Sequence, residues 1–136
     1  MGPIAAGAGE LKIERGGELF VRIFSFAAIR LPNGTVTGQA QHFNQFNGTE
    51  IHIAIDCVEV ENRTTLTLSG LVTYSTQPGL VGHRRIFRVQ DNGPSHNSEP
   101  DRISFILEVP TETSCADLKP ALDLELVNGD IYVFPQ

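Results

Sequence analysis

RRIFRVQDNGPSHNSEPDRISFIL, residues 84–107, is the stretch whose reading decides the fold class, because it scans as two alternating strands joined by a polar loop. Phe87 and Val89 share one face of the first arm, and Ile103, Phe105 and Leu107 share one face of the second. The same two-residue period carries Asp91 and Asp101 from those apolar faces into the loop. Two carboxylates therefore enter one end of a core.

Working outward, the upstream run LFVRIFSFAAI (residues 19–29) has apolar residues at both parities. That pattern predicts a strand covered on both faces, with an exposed face used for self-association as the alternative. Pro32-Asn33-Gly34 turns the chain. In the next strand, residues 36–43, Val36, Gly38, Ala40 and His42 form a face of mostly small residues with room for a large neighbour, a bend or a cavity. Asn47-Gly48 is a hairpin signal. In residues 50–61 the apolar parity holds through Ile51, Ile53, Ile55 and Cys57, then changes to Val58 and Val60, which predicts a bulge or a corner. Asn62-Arg63 turns into the strand at 64–74, where Gly70 marks a second bend, and residues 75–82 are a loop.

Downstream, residues 110–123 read as loop with one helical turn near Ala116, capped by Ser114. Residues 123–127, Asn128-Gly129 and residues 131–134 read as a last hairpin. The sum is about eight strands and no strong amphipathic helix. An all-β antiparallel meander follows, closed or nearly closed into an up-and-down barrel, with a two-sheet β-sandwich as the alternative. Residues 1–10, opening MGPIAAGAG, look like a flexible N-terminal segment without the pattern of a signal peptide, and residues 11–136 form a single all-β domain.

Composition narrows the class. The 136 residues are 40% hydrophobic and 19% charged, with a net charge of -6. That is a globular composition, and no apolar run approaches the roughly 18 residues of a membrane-spanning helix. The only lysines are Lys12 and Lys119, and the cluster of Arg84, Arg85 and Arg88 reads as a solvated strand face. Neither nucleic acid nor anionic lipid is an expected partner. Cys57 and Cys115 lack the spacing of a zinc site and fit a disulfide in an oxidising compartment, with two buried thiols as the alternative. Asn33, Asn47 and Asn62 begin N-x-Thr sequons, but each falls on a turn that asparagine suits for its backbone.

The segments FRVQDNGPSHNSEPDRISF, GTVTGQAQ and NGDIYVFP together resemble small secreted bacterial proteins of the post-COAP-1 domain type. In that pattern a strand ending V-x-D-N-G leads through a variable loop to D-R and an alternating strand. Phe87, Val89, Asp91, Asn92, Gly93, Asp101, Arg102, Ile103 and Phe105 carry the likeness, which spans residues 19–134. It implies a secreted or periplasmic β-domain and no particular chemistry. The variable loop here is longer than the pattern and carries His96 and Glu99.

No Ser/His/Asp order, phosphate loop, HExxH or EF-hand pattern is present, so no catalytic residue is assigned and no cofactor is implied. Asp91, Asn92, Glu99 and Asp101 are loop anchors by this reading, with a calcium site as the weaker alternative. His42, His52 and Asp56 are candidate polar groups of a barrel cavity. The expected function is a noncatalytic extracellular domain, structural or binding, whose candidate ligand is small and apolar. The alternative is a small barrel enzyme of cyclase or isomerase type on an apolar substrate, relying on positioning rather than a named motif. A monomer or weak homodimer, not inserted in a membrane, is expected.

Overall fold

Period-two alternation through the first two-thirds of the chain becomes six long strands in the computed structural model, which describes residues 2–93 and 99–135. These are β1 (Gly2–Arg15), β2 (Glu18–Arg30), β3 (Val36–Asn44), β4 (Thr49–Val60), β5 (Thr65–Ser75) and β6 (Arg84–Gln90). Four shorter strands follow: β7 (Arg102–Ile103), β8 (Leu107–Val109), β9 (Leu124–Glu125) and β10 (Asn128–Val133). All pair antiparallel in one sheet of order β10-β1-β2-β3-β4-β5-β6-β7-β9, with β8 also on β6. The meander curls through 300° into a nearly closed barrel. One inward face per strand fills it: Phe24 and Phe26 from β2, Ile51, Ile53 and Ile55 from β4, Leu66 and Leu68 from β5, and Phe87 and Val89 from β6 are buried together.

Several local expectations change once strands are paired. The N-terminal residues are not a flexible segment, because Gly2–Glu10 belong to β1, which pairs with β2 and β10, and Ile4 is fully buried. Their small side chains are a packing requirement. A Cβ on Gly7 would lie 2.8 Å from the Phe26 ring, so the glycine is what lets that phenylalanine cross the interior. Gly16 and Gly17, with φ of +60° and +84°, supply the primed turn that joins β1 to β2.

Nor is β2 covered on both faces. Arg22, Phe24, Phe26 and Ala28 point inward and are buried, while Leu19, Ile23 and Ile29 are 64%, 51% and 41% exposed on the outside. In β4 the parity change coincides with a bulge: Ile55 pairs with Gly70 and Cys57 with Ser69, so Asp56 is the extra residue. Val58 and Val60 then turn back toward the core opposite Leu68 and Leu66.

The hairpin at residues 84–107 also slips by one. Val89 faces Ile103, but Ile86 faces Leu107, leaving an extra residue between 103 and 107. Leu107 thereby leaves the core face and is 39% exposed. Ser104 stabilises the irregularity, its Oγ accepting from the Arg88 N–H at 2.8 Å and donating to the Phe105 carbonyl at 2.8 Å.

Residues 110–123 cross the outside of β4 to β6. Cys115 is disulfide-bonded to Cys57, with Cα atoms 5.9 Å apart. Arg84 Nε donates to the Thr111 carbonyl at 2.7 Å and Arg88 Nη1 to that of Pro120 at 3.4 Å. Thr65, Thr67, Ser69 and Ile86, which a one-layer barrel would expose, are buried. The basic cluster is accordingly not a solvated face. Arg84 forks onto Asp56 at 2.7 and 3.0 Å, Arg88 pairs with Glu61 at 2.6 Å, and Arg85 points into the barrel.

Asn128-Gly129 does not make a hairpin. Both residues lie in β10 opposite Glu10 and Gly9 of β1, while β9 pairs with β7. The chain between them bridges the barrel seam: Leu126 N–H donates to the Asp101 carbonyl at 3.0 Å and Val127 N–H to that of Glu10 at 2.9 Å. The strands on either side of Asn128 separate because each finds a longer-range edge to pair with.

Candidate functional site

At one end of the barrel the inward faces cease to be apolar. Arg22 continues the face of Phe24 and Phe26, His42 that of Ala40, and Arg85 that of Phe87 and Val89. With Ile51, Leu80 and Phe105 they line a cavity of about 270 Å³, rimmed by Asn44, Thr49 and Gln77. Below it, buried Phe24, Phe26, Ile53, Phe87 and Ile103 fill the interior, so the space is a mouth and not a lumen.

The electrostatics of this mouth are one-sided. Arg22 is only 9% exposed, and its guanidinium lies over the Phe105 ring at 5.3 Å, a cation–π contact. Among the described residues no carboxylate pairs with it. Arg85 Nη1 donates to the Ile106 carbonyl at 3.3 Å and its Nη2 lies 3.6 Å from Glu108, but its buried Nε has no partner among the described residues. Glu108 is shared with His83, whose Nδ1 is 3.2 Å away. Burial, then Arg22 and Arg85, push the His42 imidazole down from 6.5 to about 4, so it is neutral at ordinary pH.

A larger depression of about 480 Å³ lies over β1 to β3, where Ala8, Ile23, Ser25, Gln41 and Phe43 contribute. Ser25 and Gln41 are exposed there. It lacks the convergent buried charges of the mouth.

Of the three residues expected to supply a cavity's polar groups, only His42 is inside. His52 and Asp56 lie on the outer face, His52 against Glu50 at 2.8 Å and beside Tyr74, and Asp56 on Arg84. A half-buried sheet has a single interior face, and theirs is the other one. Arg22 joins the site without having been expected there, Arg85 belongs to it and not to a solvated strand face, and Phe105, expected on a core face, forms part of its wall. Their signal was present, since both arginines occupy the parity of buried phenylalanines.

Asp91 and Asp101 sit at the barrel seam. Asp101 Oδ1 accepts from Asn92 N–H at 2.7 Å and its Oδ2 from Ile131 N–H at 2.6 Å. Asp91 Oδ1 accepts from Gly93 N–H at 2.9 Å and its Oδ2 from Val133 N–H at 3.0 Å. Two carboxylates thus satisfy the free edge of β10 where a neighbouring strand would. Asn92 also ties the loop, its Nδ2 donating to the Pro100 carbonyl at 2.8 Å. Burial raises the Asp101 carboxyl above its ordinary value, outweighing the two N–H groups that lower it. Glu99 is exposed, and His96 lies outside the described residues. Among the described residues no group of three His, Cys, Asp or Glu side chains is placed to hold a metal ion.

The sequons serve as turns. Asn33, Asn47 and Asn62 each accept, through Oδ1, the N–H of the threonine two residues on, at 2.9–3.0 Å. No family model, curated protein or solved structure matches this chain.

Proposed function

We propose that the domain is a noncatalytic, extracytoplasmic binding module that holds one compact small molecule in the mouth of its barrel. The observation that carries this reading is the cavity among Arg22, His42, Arg85 and Phe105, in an interior that is otherwise filled. Its volume is close to the lower end of the roughly 300–1,000 Å³ typical of ligand sites, and it combines apolar walls with a few fixed polar groups. The Cys57–Cys115 disulfide points to an oxidising environment, which supports a secreted or periplasmic location. The likeness to post-COAP-1 domains agrees with that location. A cyclase or isomerase that moves a proton would need a donor and an acceptor at the substrate, and His42 is the one titratable group besides the arginines among the lining residues of the mouth. Binding is therefore preferred to catalysis.

Fragment screening by NMR tests it. Hits are expected to shift resonances of Ile51, Leu80 and Phe105, and to lose those shifts in a Leu80→Trp variant that fills the mouth. Hits that scatter over the outer surface, or that are unaffected by the plug, would remove the proposal.

A further inference from the structure

The mouth holds more positive charge than its own side chains neutralise. Two guanidinium groups, Arg22 and Arg85, line the cavity, and the acid paired with them among the described residues is Glu108, which lies 3.6 Å from Arg85, is shared with His83 and is not itself a lining residue. No Asp or Glu is among the residues lining the cavity. Arg22 is nine-tenths buried as a residue while its guanidinium nitrogens keep contact with the open mouth, so an anion entering there would meet a partly desolvated charge that no carboxylate pairs among the described residues. Arg22 uses its π-face on Phe105, and its N–H donors make no hydrogen bond to a described residue. The Arg85 Nε donor is buried and has no partner among the described residues.

Resting on the binding reading of this mouth, we propose that its ligand is a compact organic monoanion, a carboxylate whose head is clamped by Arg22 and Arg85 and whose apolar body lies on Phe105, Leu80 and Ile51. The planar fork of a guanidinium matches a carboxylate in a way an ammonium does not. One guanidinium charge is left after Glu108 offsets the other, which suits a single negative charge better than a dianion. Neutral His42 adds a hydrogen-bonding group without adding charge. The apolar walls require a body beyond the head group, and the volume limits that body to a short chain or a single ring.

The test compares isosteric probes by NMR and calorimetry at low chloride: hexanoate, hexan-1-ol, hexylammonium and inorganic phosphate. Hexanoate is expected to shift Ile51 and Phe105 resonances, to raise the His42 titration midpoint, and to bind about tenfold or more tightly than hexanol, the factor one charge-assisted contact supplies. Hexylammonium should not enter. In Arg22→Gln the preference for hexanoate over hexanol should disappear, and Arg22→Lys should restore only part of it. If Arg22→Gln does not fold, Arg85→Gln carries the same comparison. Equal binding of hexanoate and hexanol in the mouth would overturn the anion clamp while leaving the binding module standing. Phosphate binding there as well as hexanoate would overturn the carboxylate assignment. Probes that shift only residues outside the mouth at millimolar concentration would overturn both.

Discussion

Asp91 and Asp101 each divide two oxygens between an N–H of their own loop and an N–H of β10. Truncation therefore does more than lose one contact, because it leaves two donors unpaired, and those of Asp101 are the more buried. Asp101→Ala should cost on the order of 2–4 kcal/mol and Asp91→Ala roughly 1–3 kcal/mol. Asparagine offers one acceptor and turns its NH₂ toward the second N–H, so Asp101→Asn should recover only part of the loss. Urea unfolding at neutral pH checks the order, and a variant as stable as wild type would contradict it. The melting temperature should be indifferent to millimolar calcium, since among the described residues these carboxylates belong to no group of three side chains placed to hold a metal ion. A calcium-dependent rise abolished by Asp91→Ala would replace anchors with metal ligands. The two-residue period was enough to put these aspartates on the core side, and the same rule reaches Arg22 and Arg85, which share parity with Phe24 and Phe87. It could not name Ile131 and Val133 as partners, because that contact exists only once the sheet has curled back on itself.

Among the elements, the segment 110–123 shows how a covering without regular structure becomes part of the core. It buries Thr65, Thr67, Ser69 and Ile86 and is held by the disulfide and by Arg84 and Arg88. The bond closes a sequence separation of 58 residues, for which loop-closure entropy gives about 4 kcal/mol. Replacing Cys57 and Cys115 together by serine should lower stability by an amount of that order. It should also speed hydrogen exchange at the amides of β5 before those of β2. Unchanged stability and unchanged exchange would show that the arginine contacts alone hold the segment. The long strands β2 to β6 were legible because their alternation is local. β1 was not, because a run of glycine and alanine looks like a tail until Phe26 is there to explain it, and in β10 the strand after residue 130 was legible but not its start or its partner, because Asn-Gly looks like a turn until β1 is there to pair with it. The slip before Leu107 is illegible for a related reason, since Ser104 fixes it through the backbone of another strand.

For the whole molecule the decisive quantity is where its charges are spent. Arg84, Arg88 and Arg102 are each paired with a carboxylate, Asp56, Glu61 and Glu125, and the net charge is -6. The domain should elute from heparin at low salt, and retention at physiological ionic strength would contradict that. The pH dependence of stability follows from three groups with different signs. His42 titrates near 4 in the fold against 6.5 in the unfolded chain, so between those values the unfolded state binds the extra proton. Stability must then fall as pH drops through that window, by at most roughly 3 kcal/mol. Asp101 acts the other way. Its folded carboxyl is raised above 3.8, so the folded state takes up that proton first and gains stability as pH falls toward 3.8. Glu61, held down chiefly by its hydrogen bond to Arg88, begins to cost stability only below its ordinary 4.5. Between pH 6.5 and 5 Glu61 is above its window, and any contribution from the raised Asp101 carboxyl has the opposite sign, so a loss of stability on acidification in that interval belongs to His42. Urea titrations at several pH values, on wild type and His42→Gln, separate the contributions. The variant should be flatter than wild type across that interval and retain the steeper loss below 4.5. A wild-type slope that survives in His42→Gln would mean that the imidazole is not held neutral between the two arginines.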